Sequence, residues 1–165
     1  MELQADWGNL RSPENYLGYA RTENFASRGG AEPDRRRAYA VPERLTLNQW
    51  ALAGEWTMGK QGNVSNTANG RLACRFHARD LHLVMGPAQR SAPVRFRLTI
   101  DGKPPGAARG QDVDEGGNGV VSEQRLHQLI RQPMPPGPPI SPIVDRLMQI
   151  EFLDAGAEVF AFTFG

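Results

Sequence analysis

Arg71, Arg75, His77 and Arg79, with Ala73 between the first two, share one two-residue period, the period that sends alternate side chains of a strand to one face. Arg95 and Arg97 repeat the spacing. Guanidiniums gathered on one sheet face grip carboxylate or phosphate in a bidentate fork, so Arg71, Arg75, His77, Arg95 and Arg97 form a candidate anion site. A solvated face paired with acids is the plainer expectation for outward strand positions. A second set is acidic: Asp112, Asp114, Gly117 and Glu123 stand at the first, third, sixth and twelfth positions of a calcium loop, the spacing that lets oxygens converge on a hard cation. Gly116 replaces the ligand expected at the fifth position, so a glycine-rich hairpin loop with solvated acids is favoured over bound calcium. Tyr16 and Tyr19 belong to no apolar stripe and are candidates for stacking on a sugar ring or docking on a neighbouring domain, as is Trp7.

Catalysis finds no support in these sets. His77, His82 and His127 have no second ligand at a zinc spacing. Cys74, the one cysteine, alternates with Leu72 and Phe76 and is expected to be a buried, inert thiol. It makes neither an internal disulfide nor a Cys-x-x-Cys pair. No side chain is expected to be catalytic, and no cofactor is expected beyond calcium at Asp112, Asp114 and Glu123. A formal charge of +1 supplies no global field to concentrate nucleic acid or anionic lipid. Apolar runs fall far short of the roughly 20 residues that span a bilayer, and the first ten residues lack the basic and apolar regions of a secretory signal.

The elements that must position these residues are strands. Eighteen glycines and thirteen prolines in 165 residues favour many turns over long helices. Two-residue alternation runs through Trp50, Leu52, Trp56 and Met58, then Leu72, Cys74 and Phe76, then Leu81, Leu83 and Met85. It returns in Val94, Phe96, Leu98 and Ile100, which end at Asp101-Gly102, a hairpin signal. Met148, Ile150 and Phe152, then Phe160, Phe162 and Phe164, close the chain with inward faces. Leu126, Leu129 and Ile130 suit a helical face, yet the flanking glycines favour strand across 120–130. Ser12-Pro13-Glu14 predicts one helical turn that Gly18 ends. An irregular stretch, 22–44, is expected to hold an edge strand near 37–41, and the proline-dense 133–142 is expected to be a stiff exposed loop. The expectation is one all-β domain, a two-sheet antiparallel sandwich of jelly-roll or carbohydrate-binding-module type. Residues 1–45 form a leader with a short helical turn, packed on a sandwich of 46–165.

Several strings follow one another along nearly the whole chain: SPENYLGY (12–19), NFAS (24–27), NQWALAGEW (48–56), FHARD (76–80), LVMG (83–86), DG (101–102), 119–132 and FAFTFG (160–165). In these the chain resembles the C-terminal domain that follows a thioredoxin-like domain in DipZ-type thiol:disulfide interchange (cytochrome c biogenesis) proteins. The resemblance implies a β-sandwich of the carbohydrate-binding-module kind and an extracytoplasmic location, in the periplasm or on the envelope exterior. It also implies a thioredoxin-like partner domain of the same parent that holds the redox cysteines, to which Cys74 does not correspond. A non-catalytic accessory role is then expected, with recognition of cell-wall or surface glycan as the alternative. The segment 133–142 looks like an insertion in that pattern.

Overall fold

The computed structural model describes residues 4–134 and 143–165; all but the first two residues of the proline-dense segment lie outside them. Eleven strands run in order: β1 (Asn15–Tyr16), β2 (Arg36–Tyr39), β3 (Trp50–Met58), β4 (Asn63–Ser65), β5 (Gly70–Phe76), β6 (Asp80–Pro87), β7 (Val94–Ile100), β8 (Asn118–Val121), β9 (Arg125–Arg131), β10 (Arg146–Phe152) and β11 (Ala157–Phe164). The one helix among the described residues is a 3-10 turn, Gly106–Ala108. The all-β expectation holds, and each strand ladder is antiparallel.

Hydrogen bonding links the strands in the order β8-β7-β10-β5-β3-β4-β11-β6-β9, with β2 on β3 and β1 on β11. The path is unbroken because β3 serves two neighbourhoods. Trp50, Ala51, Leu52 and Ala53 pair with β5, while the second half of β3 pairs with β2 and β4. Gly54 sits at the switch with φ 91°, and a Cβ there would lie 3.2 Å from the Gly70 Cα. Glycine meets both demands without strain. The sheet therefore curls at Gly54 into two antiparallel stretches that share β3: β8, β7, β10, β5 and the first half of β3 on one side, and the second half of β3 with β4, β11, β6 and β9 on the other. Its core draws Leu52, Leu72, Phe96 and Phe152 from one stretch and Trp56, Leu83, Leu129, Val159 and Phe162 from the other.

Trp50 and Trp56 are fully buried, as their alternation predicts, and each indole N–H has a partner: Thr22 Oγ1 and the Glu23 carbonyl, both at 3.1 Å, for Trp50, and the Ala53 carbonyl at 2.9 Å for Trp56. The Asp101-Gly102 turn forms with φ 52° and 79°, and Ile100 and Lys103 exchange both backbone hydrogen bonds across it at 2.8 and 3.1 Å. Positive φ at both central residues is the signature of the tight hairpin turn that matches strand twist. Strand is also the outcome for 120–130, split between β8 and β9. Leu126 is exposed there while Leu129 and Ile130 are buried.

The helical turn predicted at 12–18 does not form. Asn15 and Tyr16 pair with Phe162 and Ala161, and the Leu17 N–H donates to the Phe160 carbonyl at 2.8 Å. One isolated turn fixes several dihedrals for a single hydrogen bond, and the exposed edge of β11 supplies better acceptors. The Ser12 hydroxyl caps nothing: it donates to Asn48 Oδ1 at 2.6 Å and accepts the His77 N–H at 2.9 Å. The expected edge strand is β2. The leader also contributes Leu17, Tyr39 and Leu45 to the buried set, and Leu45, Ala26 and Val41 cover Ala51 and Ala73 from outside.

Candidate functional site

The inward run of three phenylalanines is broken by a bulge. Val159 pairs with Met85 and Ala161 with Val84, leaving Phe160 as the extra residue of β11. A bulge lets two successive residues point to the same side, so Phe160 and Ala161 both face outward while Phe162 stays buried. Phe160 was expected inside with Phe162 and Phe164; a two-residue period cannot register an inserted residue. Around this bulge lies a groove of about 520 Å³ floored by Phe160, Ala161 and Val84, with Tyr16, Arg21 and Gln124 among its other lining residues. Gly62 makes room beside it, since a Cβ there would sit 2.7 Å from Phe160 Cε1.

Tyr16 enters the groove through β1, which hydrogen-bonds along β11. Its ring carries the Arg21 guanidinium 4.0 Å from the centroid, a cation held by the ring quadrupole. The next residue pairs extend an apolar row from Tyr16 to Ala161, Val84 and Leu126. Lys60 and Gln61 contribute polar groups to the lining. Outside the groove lining, Glu158, opposite Val64 of β4, is half-buried, and burial pushes its carboxyl above the usual carboxylate range.

Tyr19, the other aromatic candidate, is not in the groove lining: its hydroxyl donates to Asp34 Oδ2 at 2.8 Å, and that bond raises its pKa. The basic candidates are brought to one sheet region but not to one site. β5 and β7 flank β10, so Arg71 and Arg97 both stand opposite Glu151. Arg95 grips Asp154 in a bidentate pair at 2.8 and 3.0 Å, which holds that carboxyl down at about 2. Arg97 bonds Asn118 at 3.4 Å. The Arg75 guanidinium donates to the Leu45 carbonyl at 2.6 Å, under the leader that covers this face. His77 is buried with its Nδ1 2.7 Å from Asp145 Oδ1.

The acidic loop converges on a guanidinium. Arg125 reaches both oxygens of Asp112, at 2.6 and 3.1 Å, and Glu123 Oε1 at 3.2 Å. Asp114 folds back to accept the Asn118 N–H at 2.8 Å. Among the described residues no group of three or more His, Cys, Asp or Glu is arranged to hold a metal. Burial opposes the charge of Asp112, but the hydrogen bonds from Arg125 and the Gln128 N–H outweigh it and hold its carboxyl below the usual range. Nearby, burial above all, with help from Arg125, lowers the pKa of His127.

A family model described as thioredoxin like C-terminal domain matches residues 12–165. The chain belongs to that family. Two curated relatives, each named protein DipZ, come from Mycobacterium bovis and Mycobacterium tuberculosis; each is 31% identical over 93 residues, 56% of this chain and 12% of the relative. This thioredoxin-like C-terminal domain carries a single thiol, Cys74, buried on β5 with its Sγ 3.8 Å from the Arg75 carbonyl. Burial pushes that thiol up to about 12. Tyr16 is thus the sequence candidate that the domain places in a groove. Phe160, Val84, Arg21 and Gln124 escaped sequence reasoning, and the residue pair Phe160-Ala161 became legible only once the pairing of β11 with β6 was known.

Proposed function

We propose that this domain is a non-catalytic accessory module of an extracytoplasmic thiol-disulfide redox protein, supporting or positioning a thioredoxin-like domain of the same polypeptide. The observation that carries the reading is the state of Cys74. A thiol exchanges disulfides as its thiolate, and a buried thiol held at about 12 is protonated at neutral pH. Exchange chemistry in the parent then falls to cysteines outside this chain, and the family description and the DipZ relatives support a redox context. The chain spans 12% of those relatives, which leaves ample polypeptide for a thioredoxin-like unit. An extracytoplasmic setting follows from the same likeness. Among the described residues no helix is long and apolar enough to cross a membrane.

The test compares the parent protein with and without this domain, and with Cys74→Ala, in a thiol-disulfide exchange assay. Cys74→Ala is expected to leave the rate unchanged. Removal of the domain is expected to lower kcat/KM for a protein disulfide several-fold more than for a small disulfide. Exchange activity in the isolated domain that disappears in Cys74→Ala would overturn the reading.

A further inference from the structure

We propose that the groove at the β11 bulge binds an extended polypeptide segment presenting a large apolar side chain beside a carboxylate. The site rests on its own geometry; its meaning as a place for client polypeptide rests on the redox reading above. The groove's volume of about 520 Å³ falls within the usual range for ligand sites, roughly 300 to 1,000 Å³, and Phe160, Ala161 and Val84 give it an apolar floor. The apolar row then continues across the sheet, ending in Leu126, which is 41% exposed, from Tyr16, which is 38% exposed. From β1 to β9 the row crosses β11 and β6, a distance of about 14 Å at the spacing of neighbouring strands, matching about four residues of extended chain.

The rim complements such a segment. Gln61 and Gln124 offer amides that both donate and accept, as a peptide backbone requires. Arg21 and Lys60 line the groove, and neither forms an ion pair with a carboxylate among the described residues. Glu14 is the one acid in the lining, so the charged rim favours an anionic ligand. A glycan fits less well. The Tyr16 ring face that a pyranose would stack on carries the Arg21 guanidinium at 4.0 Å. An apolar floor also leaves few partners for a ring with a hydroxyl on nearly every carbon.

The experiment is a titration of the isotopically labelled chain, followed by backbone amide NMR, with three probes: acetyl-Ala-Asp-Phe-Asp-Ala-amide, its twin with Lys in place of Asp, and an N-acetylglucosamine oligomer. Saturable shifts are expected from the acidic peptide at Tyr16, Val84, Gln124 and Ala161, with affinity at least tenfold above that of the Lys twin. The double change Arg21→Glu and Lys60→Glu is expected to invert that preference. Thr163→Trp, which fills the groove from a half-buried position, is expected to abolish the shifts while the melting temperature holds. Should Thr163→Trp unfold the chain, the charge reversal and the map of shifted amides still decide the matter. No saturation by either peptide, shifts centred elsewhere, or saturation by the sugar oligomer alone would each overturn the proposal. Because the titration needs no redox chemistry, an inactive parent protein would sink the redox reading and leave this result standing, and the converse also holds.

Discussion

On the outward side of β5, β10 and β7, one cross-strand row reads Arg71, Glu151 and Arg97. On the outward side of β1, β11, β6 and β9, a comparable row reads Tyr16, Ala161, Val84 and Leu126. The first row is a regular ladder, and its charges alternate in sign, so cross-strand neighbours stabilise one another and a single positive charge is left over. The second is interrupted by a bulge, and the inserted Phe160 bends an otherwise flat surface into a groove. Charge density in a sequence is therefore a weaker guide to a site here than a lapse in strand regularity. On the arginine face Arg95 pairs with Asp154, Arg75 with the Leu45 carbonyl and Arg97 with Asn118, whereas the face with the inserted aromatic stays open.

The comparison breaks most sharply on chain length. Deleting Gln149 from the regular β10 would move every residue beyond it to the opposite face, sending Ile150 and Phe152 out of the core. That variant is expected not to fold, with no cooperative transition by near-ultraviolet circular dichroism. Deleting Phe160 removes only the bulge: Val159 still meets Met85 and Ala161 still meets Val84. This chain is expected to fold, losing about 1 to 2 kcal/mol for the hydrogen bond from Leu17, and to lose the groove. A Phe160 deletion as damaging as the Gln149 deletion would refute the account of the bulge.

Charge provides the next comparison, between a buried acid and exposed bases. Asp80, whose side chain is 3% exposed, holds Arg79 at 2.7 Å and Arg131 at 3.0 Å. Asp80→Asn leaves those guanidiniums without their anion and is expected to cost about 3 kcal/mol in urea melts. Burial raises the Asp80 pKa, but the hydrogen bonds from Arg79 and Arg131 outweigh it and the net shift is downward. A carboxylate with a lowered folded-state pKa stabilises the protein above its unfolded value of 3.8 and loses that contribution as pH falls through the folded value. His127, lowered from 6.5 by burial, adds a loss that sets in as pH drops below that value. Melts at pH 7, 5 and 3 are expected to decline at each step, with the last step shallower in Asp80→Asn. An unchanged last step would show that Asp80 does not carry the acid limb.

The smallest effect belongs to the arginine face. Arg71→Ala and Arg97→Ala remove exposed side chains whose cross-strand partner is Glu151, and each is expected to change stability by no more than about 0.5 kcal/mol. Neither change is expected to weaken peptide binding in the groove by as much as twofold. A tenfold loss in either variant would move the site to the face that the charge pattern first marked.

The strand faces of this protein were legible in its residues because alternation is a local property. Trp50, Trp56, Leu72, Cys74 and Phe96 each alternate with smaller or polar neighbours, and each is buried. The Asp-Gly turn was equally legible, since its backbone preference belongs to the two residues themselves. Tyr16 was singled out because no apolar stripe claimed it. What surrounds Tyr16 was decided by partners distant in sequence: β11 turned a local helix signal at Ser12 into strand β1, and the register of β6 made Phe160 an inserted residue. The leader's fold over Ala51 and Ala73, which brings the Leu45 carbonyl to Arg75, was decided the same way. Periodicity specifies which side chains share a face, whereas bulges, edge pairing and charge neutralisation arise from the strand that lies alongside, and only the tertiary structure supplies that neighbour.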